Sequence, residues 1–371
     1  MKFSTTRDDL FKLLQAASRI AGSPTAGQSF PGIQIEALAG NTVAIRARDR
    51  ELGIQLPLSA TVDSPGSCLL PARLLVDIVR TLPATAVTLN LEAGSQTVHL
   101  TAGSAAFQIR TLRNEDFPVL PSSQATNSIQ LPADAFISTV EIVARAASHD
   151  ETRPVLTGIL VSASANELRM VATDSYRLSV KETTVDAPLE GAFEANIPAR
   201  ALQELARLAV LDGANTLSVA VNENQIVFTA GGAVLSSILI DGQFPNYRQL
   251  LPDAFEHELR MPVDELIEVV RRIGVVAQKN APLRLAFAAG ELTVSAQTPD
   301  VGEAKETIPC PYSGEPMEVG FNVDYLREGL ESVGLGGDVI IKLISPLRPG
   351  LLESADGAGF TYLIMPVRLN V

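Results

Sequence analysis

Apolar positions along the chain follow two periods. In three places a short strand-like run ends on a polar or proline residue and gives way to a helical stripe. Lys2-Phe3-Ser4 leads to Leu10, Phe11, Leu13, Leu14 and Ala17. Ile129-Gln130-Leu131-Pro132 leads to Phe136, Ile137, Val140, Val143 and Ala144, and Leu259-Arg260-Met261-Pro262 to Leu266, Ile267, Val269, Val270 and Ile273. Apolar residues at i, i+3, i+4 and i+7 share one face of a helix, so each stripe predicts a helix with one buried side. A second strand-to-helix step recurs at Leu70-Pro71-Ala72-Arg73, Ile197-Pro198-Ala199-Arg200 and Phe321-Asn322-Val323-Asp324. Proline suits a first helical turn, where its missing N–H is no loss, so Pro71 and Pro198 are expected inside such turns. A third element closes each stretch: Asp116-Phe117-Pro118, Gln243-Phe244-Pro245 and Ile364-Met365-Pro366.

The spacing of these elements marks an internal repeat. Pro71, Pro198 and Asn322 lie 127 and 124 residues apart, and Pro118, Pro245 and Pro366 lie 127 and 121 apart. Between the anchors run short alternating or apolar segments broken by Gly, Asn or Asp, such as Thr42-Val43-Ala44-Ile45, Leu168-Arg169-Met170-Val171 and Leu292-Thr293-Val294-Ser295. These read as antiparallel strands joined by turns. Each unit is then two helices packed on sheet, an α+β fold in three copies, and about 120 residues suffice for a domain. Domain limits are expected at 1–124, 125–254 and 255–371, with linkers near 121–127 and 252–256.

Composition narrows the function. Hydrophobic residues make up 46% and charged ones 19%, ample for buried cores. No stretch approaches the roughly 20 apolar residues of a membrane span, and Met1-Lys2-Phe3-Ser4 runs into charged sequence where a signal peptide would stay apolar. A cytoplasmic location is expected. Cys68 and Cys310 stand far apart without CxxC spacing, so buried reduced thiols are expected rather than a disulfide or a zinc site. A net charge of -13 argues against a protein that grips nucleic acid by bulk attraction. A nucleic-acid function needs its positive charge gathered on one surface, or needs topology to hold the partner.

Signs of catalysis are missing from the sequence. His99, His149 and His257 are scattered, and there is no GxGxxG, Walker, GxSxG or HExxH motif. Asp8-Asp9 and Asp150-Glu151 flank helices, where capping and dipole effects account for them. Neither a metal nor a cofactor is expected. On the residues alone, an enzyme of unrecognised type with a site between domains and a scaffold unable to load on DNA stay open.

The segments Val171-Ala172-Thr173-Asp174-Ser175-Tyr176-Arg177-Leu178, Asp241-Gly242-Gln243-Phe244-Pro245-Asn246-Tyr247-Arg248 and Tyr362-Leu363-Ile364-Met365-Pro366-Val367-Arg368-Leu369 closely resemble signature stretches of the bacterial DNA polymerase III beta subunit. The resemblance covers essentially the whole chain and implies the DNA clamp fold: a head-to-tail homodimeric ring with helices lining the hole and sheets on the rim. It implies a non-catalytic sliding clamp that encircles duplex DNA without reading sequence. Such a clamp tethers the polymerase catalytic subunit, the clamp loader and repair proteins through short linear peptides. Enclosure also answers the charge, since a threaded duplex needs only weak contacts.

Residue by residue, the resemblance places the peptide groove at Leu156, Thr173, Ser175, Tyr176, Arg177, Leu178, Pro245, Gln249, Leu250, Leu363, Met365, Pro366, Val367, Arg368 and Leu369. Gln249 stands where the family commonly has a basic residue, and Asn370-Val371 extend past the usual terminal leucine. Read without the family, Met365 to Leu369 equally suit a last core strand. Basic residues repeat as well. Arg73 and Arg80 share a helix face through their seven-residue spacing, Arg200 and Arg207 repeat it, and Arg19 and Arg145 occupy equivalent places. Solvated helix faces would show the same pattern; with the resemblance, these arginines are expected to face DNA. Repeat three carries Asp324 and Glu331 at the second-helix positions, so its contribution would come from Arg271, Arg272 and Lys279. The segment 23–31 lacks the arginine common in the family's loop. Ring contacts are expected at Phe107, in the edge-like run Ala105-Ala106-Phe107-Gln108-Ile109, and at Val275 and Val276, all of which would also suit a core.

Overall fold

The structure is a computed structural model that describes residues 1–22, 32–113, 117, 128–277 and 281–369. The segment 23–31, the linker 121–127, Lys279 and Asn370-Val371 fall outside the described residues. In repeat one the elements are β1 (Lys2–Thr6), α1 (Arg7–Ile20), β2 (Gly32–Leu38), β3 (Thr42–Arg48), β4 (Leu52–Ser59), β5 (Thr61–Ser64), β6 (Gly66–Pro71), α2 (Ala72–Thr81), β7 (Ala86–Leu91), β8 (Thr97–Ala102) and β9 (Ala105–Arg110). Repeat two runs β10 (Ser128–Pro132), α3 (Ala133–Val143), β11 (Gly158–Ser164), β12 (Glu167–Thr173), β13 (Arg177–Thr184), β14 (Phe193–Pro198), α4 (Ala199–Asp212), β15 (Thr216–Val221), β16 (Gln225–Ala230) and β17 (Ala233–Ile238). Repeat three runs β18 (His257–Pro262), α5 (Val263–Gly274), β19 (Leu283–Ala288), β20 (Glu291–Thr298), β21 (Gly302–Pro309), β22 (Met317–Phe321), α6 (Val323–Val333), β23 (Asp338–Leu343), β24 (Gly350–Ser354) and β25 (Phe360–Ile364).

Local chemistry explains the helix starts. Thr6 caps α1 by accepting the Asp9 N–H at 3.2 Å, which puts Asp8 and Asp9 inside the first turn rather than ahead of it. Asn322 caps α6 by accepting the Tyr325 N–H at 3.1 Å. Pro71 and Pro198 stand one position earlier than expected. Each ends an edge strand, β6 or β14, and the helix begins at the next residue, because an edge position tolerates a residue without an N–H.

Strands of neighbouring repeats share sheets. One compact unit, Met1–Ala133 with Glu204–Leu239, holds a five-stranded sheet in the order β5-β1-β7-β8-β9 and an eight-stranded sheet β10-β15-β16-β17-β4-β3-β2-β6. The other, Asp134–Gln203 with Ile240–Val371, holds an eight-stranded sheet β14-β11-β12-β13-β25-β24-β23-β18 and a four-stranded sheet β21-β20-β19-β22. The joints are antiparallel. β17 meets β4 with Leu235 opposite Ile54, and β25 meets β13 with Leu363 opposite Leu178. Beyond its last strand each repeat returns to an edge strand: Leu112 N–H bonds the Leu69 carbonyl at 2.8 Å, Ile240 that of Asn196 at 2.9 Å, and Val367 that of Gly320 at 2.8 Å.

Buried apolar side chains fill each unit. In the first, Leu10, Leu14, Ala17 and Ile20 of α1 are buried, as are Ile33, Ile35, Ile45 and Ile54 of the eight-stranded sheet. In the second, Phe136 and Val140 of α3, Leu266 and Val270 of α5, and Leu326 and Leu330 of α6 are buried together with Ile159, Met170, Phe287 and Tyr362. Cys68 and Cys310 are buried and free, and burial pushes their thiols up to about 12 and about 11.

Candidate functional site

The repeated arginines lie on helices or at their ends, and carboxylates hold most of them. In the first unit Arg73 and Arg80 are exposed on α2, and Arg80 pairs with Asp77 at 2.9 Å. Glu204, only 5% exposed, binds Arg19 of α1 at 2.8 Å and also Arg207. In the second unit Glu331 of α6 bridges Arg145 and Arg271, the latter at 3.1 Å. Arg272 pairs with Glu306 at 2.7 Å and Glu268 at 3.7 Å. Arg200 is exposed near the start of α4. Arg145 is displaced from its expected place: α3 ends at Val143, and Arg145 sits in the 3₁₀ turn Ala144–Ala146 that follows, whereas Arg19 is within α1. Burial pushes the Glu331 carboxyl up, but hydrogen bonds from Arg271 and Arg145 outweigh it and hold the group below its ordinary value.

The residues assigned to a groove gather in the second unit. Leu178 and Leu363 face each other across the β13–β25 joint and belong to one buried cluster with Val171, Val180, Phe244, Tyr247 and Leu351. Val155 packs on that cluster, and its neighbour Leu156 is buried. Above this apolar floor stand exposed side chains: Tyr176 at 61%, Leu250 at 50%, Met365 at 40% and Val367 at 36% exposure. Exposed apolar side chains beside a packed apolar floor are the chemistry of a docking surface for another chain. The Met365 N–H bonds the Tyr176 carbonyl at 2.9 Å, which ties the tail to the turn before β13. β25 ends at Ile364, so Met365 to Leu369 form no core strand and leave their side chains available. Gln249 is exposed on the turn Tyr247–Leu250. Pro245 is exposed and borders a cleft of about 160 Å³ shared with Leu160, Arg169 and Arg248, which no other groove residue lines.

The turn Asp174 to Arg177 shapes one end of that surface. Asp174 Oδ1 accepts the N–H groups of Tyr176 and Arg177, each at 2.9 Å, and Thr173 Oγ1 donates to the Arg177 carbonyl at 2.7 Å. Ser175 takes φ 78°, a left-handed conformation that an L-residue holds only when its surroundings impose it. Arg177 is buried. It is 7% exposed, and its guanidinium lies 4.3 Å above the ring of Tyr325. Sequence reasoning missed Tyr325, Glu328 and Arg153, whose Nη1 donates to Ser175 Oγ at 3.0 Å. The aromatic residue three positions after the Asn322 cap was the one available signal for Tyr325.

Phe107 is half-buried on β9, an edge of the five-stranded sheet. Val275 is 82% exposed and Val276 half-buried. They follow α5, which packs against β20 and β21, the latter an edge of the four-stranded sheet. Arg272 just before them pairs with Glu306 of β21, and Thr298 Oγ1 donates to the Val276 carbonyl at 2.8 Å. Among the described residues no helix is long and apolar enough to cross a membrane, and no group of three His, Cys, Asp or Glu residues could hold a metal.

Comparison with known proteins accounts for this arrangement along its whole length. Family models for the DNA polymerase III beta subunit match residues 1–121 (N-terminal domain), 130–246 (central domain) and 248–368 (C-terminal domain). The beta sliding clamp of Synechococcus elongatus is 34% identical over 376 residues, covering all of both chains. That of Bacillus subtilis is 27% identical over 380 residues, with 99% of this chain and 100% of the relative covered. Among solved structures, the DNA polymerase sliding clamp of Bacillus subtilis superposes with a TM-score of 0.90 at 26% identity, and that of Caulobacter crescentus with 0.87 at 29%, each over 100% of both chains. The chain therefore belongs to the DNA polymerase III beta subunit family, whose three-part DNA clamp fold it shares.

Proposed function

We propose that two copies of this chain close head to tail into a ring around duplex DNA and present the Leu178–Leu363 groove to short linear peptides. Membership of the family makes it a DNA sliding clamp, a non-catalytic subunit that confers processivity on a polymerase. The ring, its partners and the residues that serve them are our reading. In it the domains run 1–124, 125–254 and 255–371, and the peptides come from the polymerase catalytic subunit, the clamp loader and repair proteins.

Strand order carries the reading. In both eight-stranded sheets, four strands ending in β17 or β25 meet four beginning with β4 or β13. The five-stranded sheet offers β1-β7-β8-β9 with β9 at its edge, and the four-stranded sheet offers β21-β20-β19-β22 with β21 at its edge. These are the two halves of a further eight-stranded sheet of the same kind. A heterologous contact of this sort forms a ring when its rotation closes. Carrying over the pairing of Leu235 with Ile54 and of Tyr362 with Ser179 sets Phe107 opposite Ala304 of a second copy. Phe107, Val275 and Val276 then flank one joint.

Charge supports enclosure over grip. Arg19, Arg80, Arg145, Arg207, Arg271 and Arg272 already hold carboxylates. Apart from the two pairs to buried Glu204, these pairs are largely exposed and worth about 0–1 kcal/mol each, so a passing phosphate can exchange with a carboxylate there at little cost. Analytical ultracentrifugation should give about twice 39.4 kDa, and the loaded protein should leave linear DNA while staying on closed circles. Equal retention on both would defeat the topological reading.

A further inference from the structure

Arg177 is a buried cation with unusually complete coordination. Its Nε donates to Asp174 Oδ2 at 3.0 Å, its Nη1 to the Glu328 carboxylate and to the Tyr362 hydroxyl at 3.4 Å, and its Nη2 to the Arg145 carbonyl. Burial alone would lower the guanidinium's affinity for its proton, but Tyr362 and Glu328 raise it, so it stays charged. Two carboxylates offset that charge. Asp174 belongs to the same turn, whereas Glu328 reaches over from α6, whose Ser332 Oγ donates to the Ile142 carbonyl at 3.2 Å. A connected path follows, from Glu328 to Arg177, to the turn that holds Ser175 left-handed, to the Tyr176 carbonyl, and on to the Met365 N–H at 2.9 Å.

We infer that Glu328, which lies outside the groove, is a positioning residue for peptide recognition: by holding Arg177 it fixes the wall formed by Tyr176 and Met365. The inference rests on the groove assignment above. A docking wall held in its bound shape lowers the ordering cost of binding, and loosening one end raises it. Asp174 still faces Arg177 when Glu328 is neutralised, so the fold survives the change while the wall relaxes.

The test uses the full-length protein and a fluorescein-labelled peptide with two leucines and one phenylalanine, the chemistry that suits an apolar groove. Fluorescence anisotropy should show Kd about tenfold weaker for Glu328→Gln, as expected for losing one charge-assisted hydrogen bond. Glu328→Asp, which keeps the charge, should recover to within about threefold of the parent. Tyr325→Leu, which removes the ring under the guanidinium, should weaken binding about threefold and gives a second route if Glu328→Gln folds poorly. Dimer mass should match the parent, and the variants should stay fully folded at the assay temperature, so that the affinity loss does not report unfolded protein. Equal affinity of Glu328→Gln and parent overturns the positioning role and leaves the groove standing. So does an equal loss in Glu328→Asp that tracks a fall in the unfolding midpoint. A parent protein that binds no peptide overturns the groove assignment, and this inference with it.

Discussion

Replacing Gly320 by alanine is the sharpest available perturbation of the groove, because it acts on the tail and on little else. Gly320 lies on β22, paired with Arg284 on one side and bridged to Val367 on the other. A Cβ built there would stand 2.6 Å from the Val367 carbonyl oxygen and 2.7 Å from Leu369 Cδ2. The leucine can rotate away; the backbone carbonyl can retreat only if the tail lifts. Lifting breaks the 2.8 Å bond from the Val367 N–H to the Gly320 carbonyl, about 1 kcal/mol net. It also carries Met365, Pro366 and Val367 off the apolar floor, and losing the contact of one such side chain with a bound peptide adds about 1 kcal/mol. The hydrogen bond is lost from the free and the bound protein alike, so only the lost contact weakens binding, by about 1 kcal/mol or roughly fivefold in peptide Kd. The tail buries little, so the unfolding midpoint should fall by no more than about 2 °C. Anisotropy with the labelled peptide, run beside a thermal melt, measures both. A Kd within about twofold of the parent would refute the claim that the tail forms the groove wall.

Deleting residues 365–371 should abolish peptide binding and leave the dimer mass unchanged. Ala106→Cys with Lys305→Cys, placed opposite each other across the joint by the transposed register, should form an intermolecular disulfide on oxidation. That protein should then resist dissociation from closed circles at high salt, and a monomeric product on a non-reducing gel would reject the register. Reversing the charge of Arg73, Arg80, Arg200 and Arg207 together should impair loading or sliding, and an unchanged processivity assay would speak against these helix faces. The folded-state pKa of Glu331 lies below the ordinary 4.5, so its contribution is present above that value and disappears as pH falls through the folded value. Parent and Glu331→Gln should differ in stability at neutral pH and converge at a pH below 4.5, as followed by circular dichroism.

The repeat was legible because its anchors are local. Proline and asparagine before a helix, apolar stripes and closing prolines are written in adjacent residues, and the structure places the returning strand bonds at Leu69, Asn196 and Gly320 in step with them. Other features depend on distant residues. Nothing near Ile54 announces Leu235, so the sharing of sheets between repeats has no local signature. In sequence Arg177 reads only as one polar member of the groove. Its burial depends on Glu328, Tyr325 and Tyr362, which come from an element and a strand of the next repeat. The arginine faces were readable by spacing, but not the carboxylates that hold them: Glu204 and Glu331 each serve two arginines far apart in the chain.

Sharing sheets between repeats also sets a timetable for synthesis. β4 cannot take its neighbour until Ala233–Ile238 has been made, roughly 10–35 s later at ~5–20 residues per second. β13 waits about as long, for Phe360–Ile364. Through that interval a strand destined for the middle of a sheet has an open side, the condition under which stray chains add on. The second unit therefore completes its sheet only once Phe360–Ile364 has left the ribosome, and a chain broken between Thr184 and Phe360 leaves β13 paired with β12 alone.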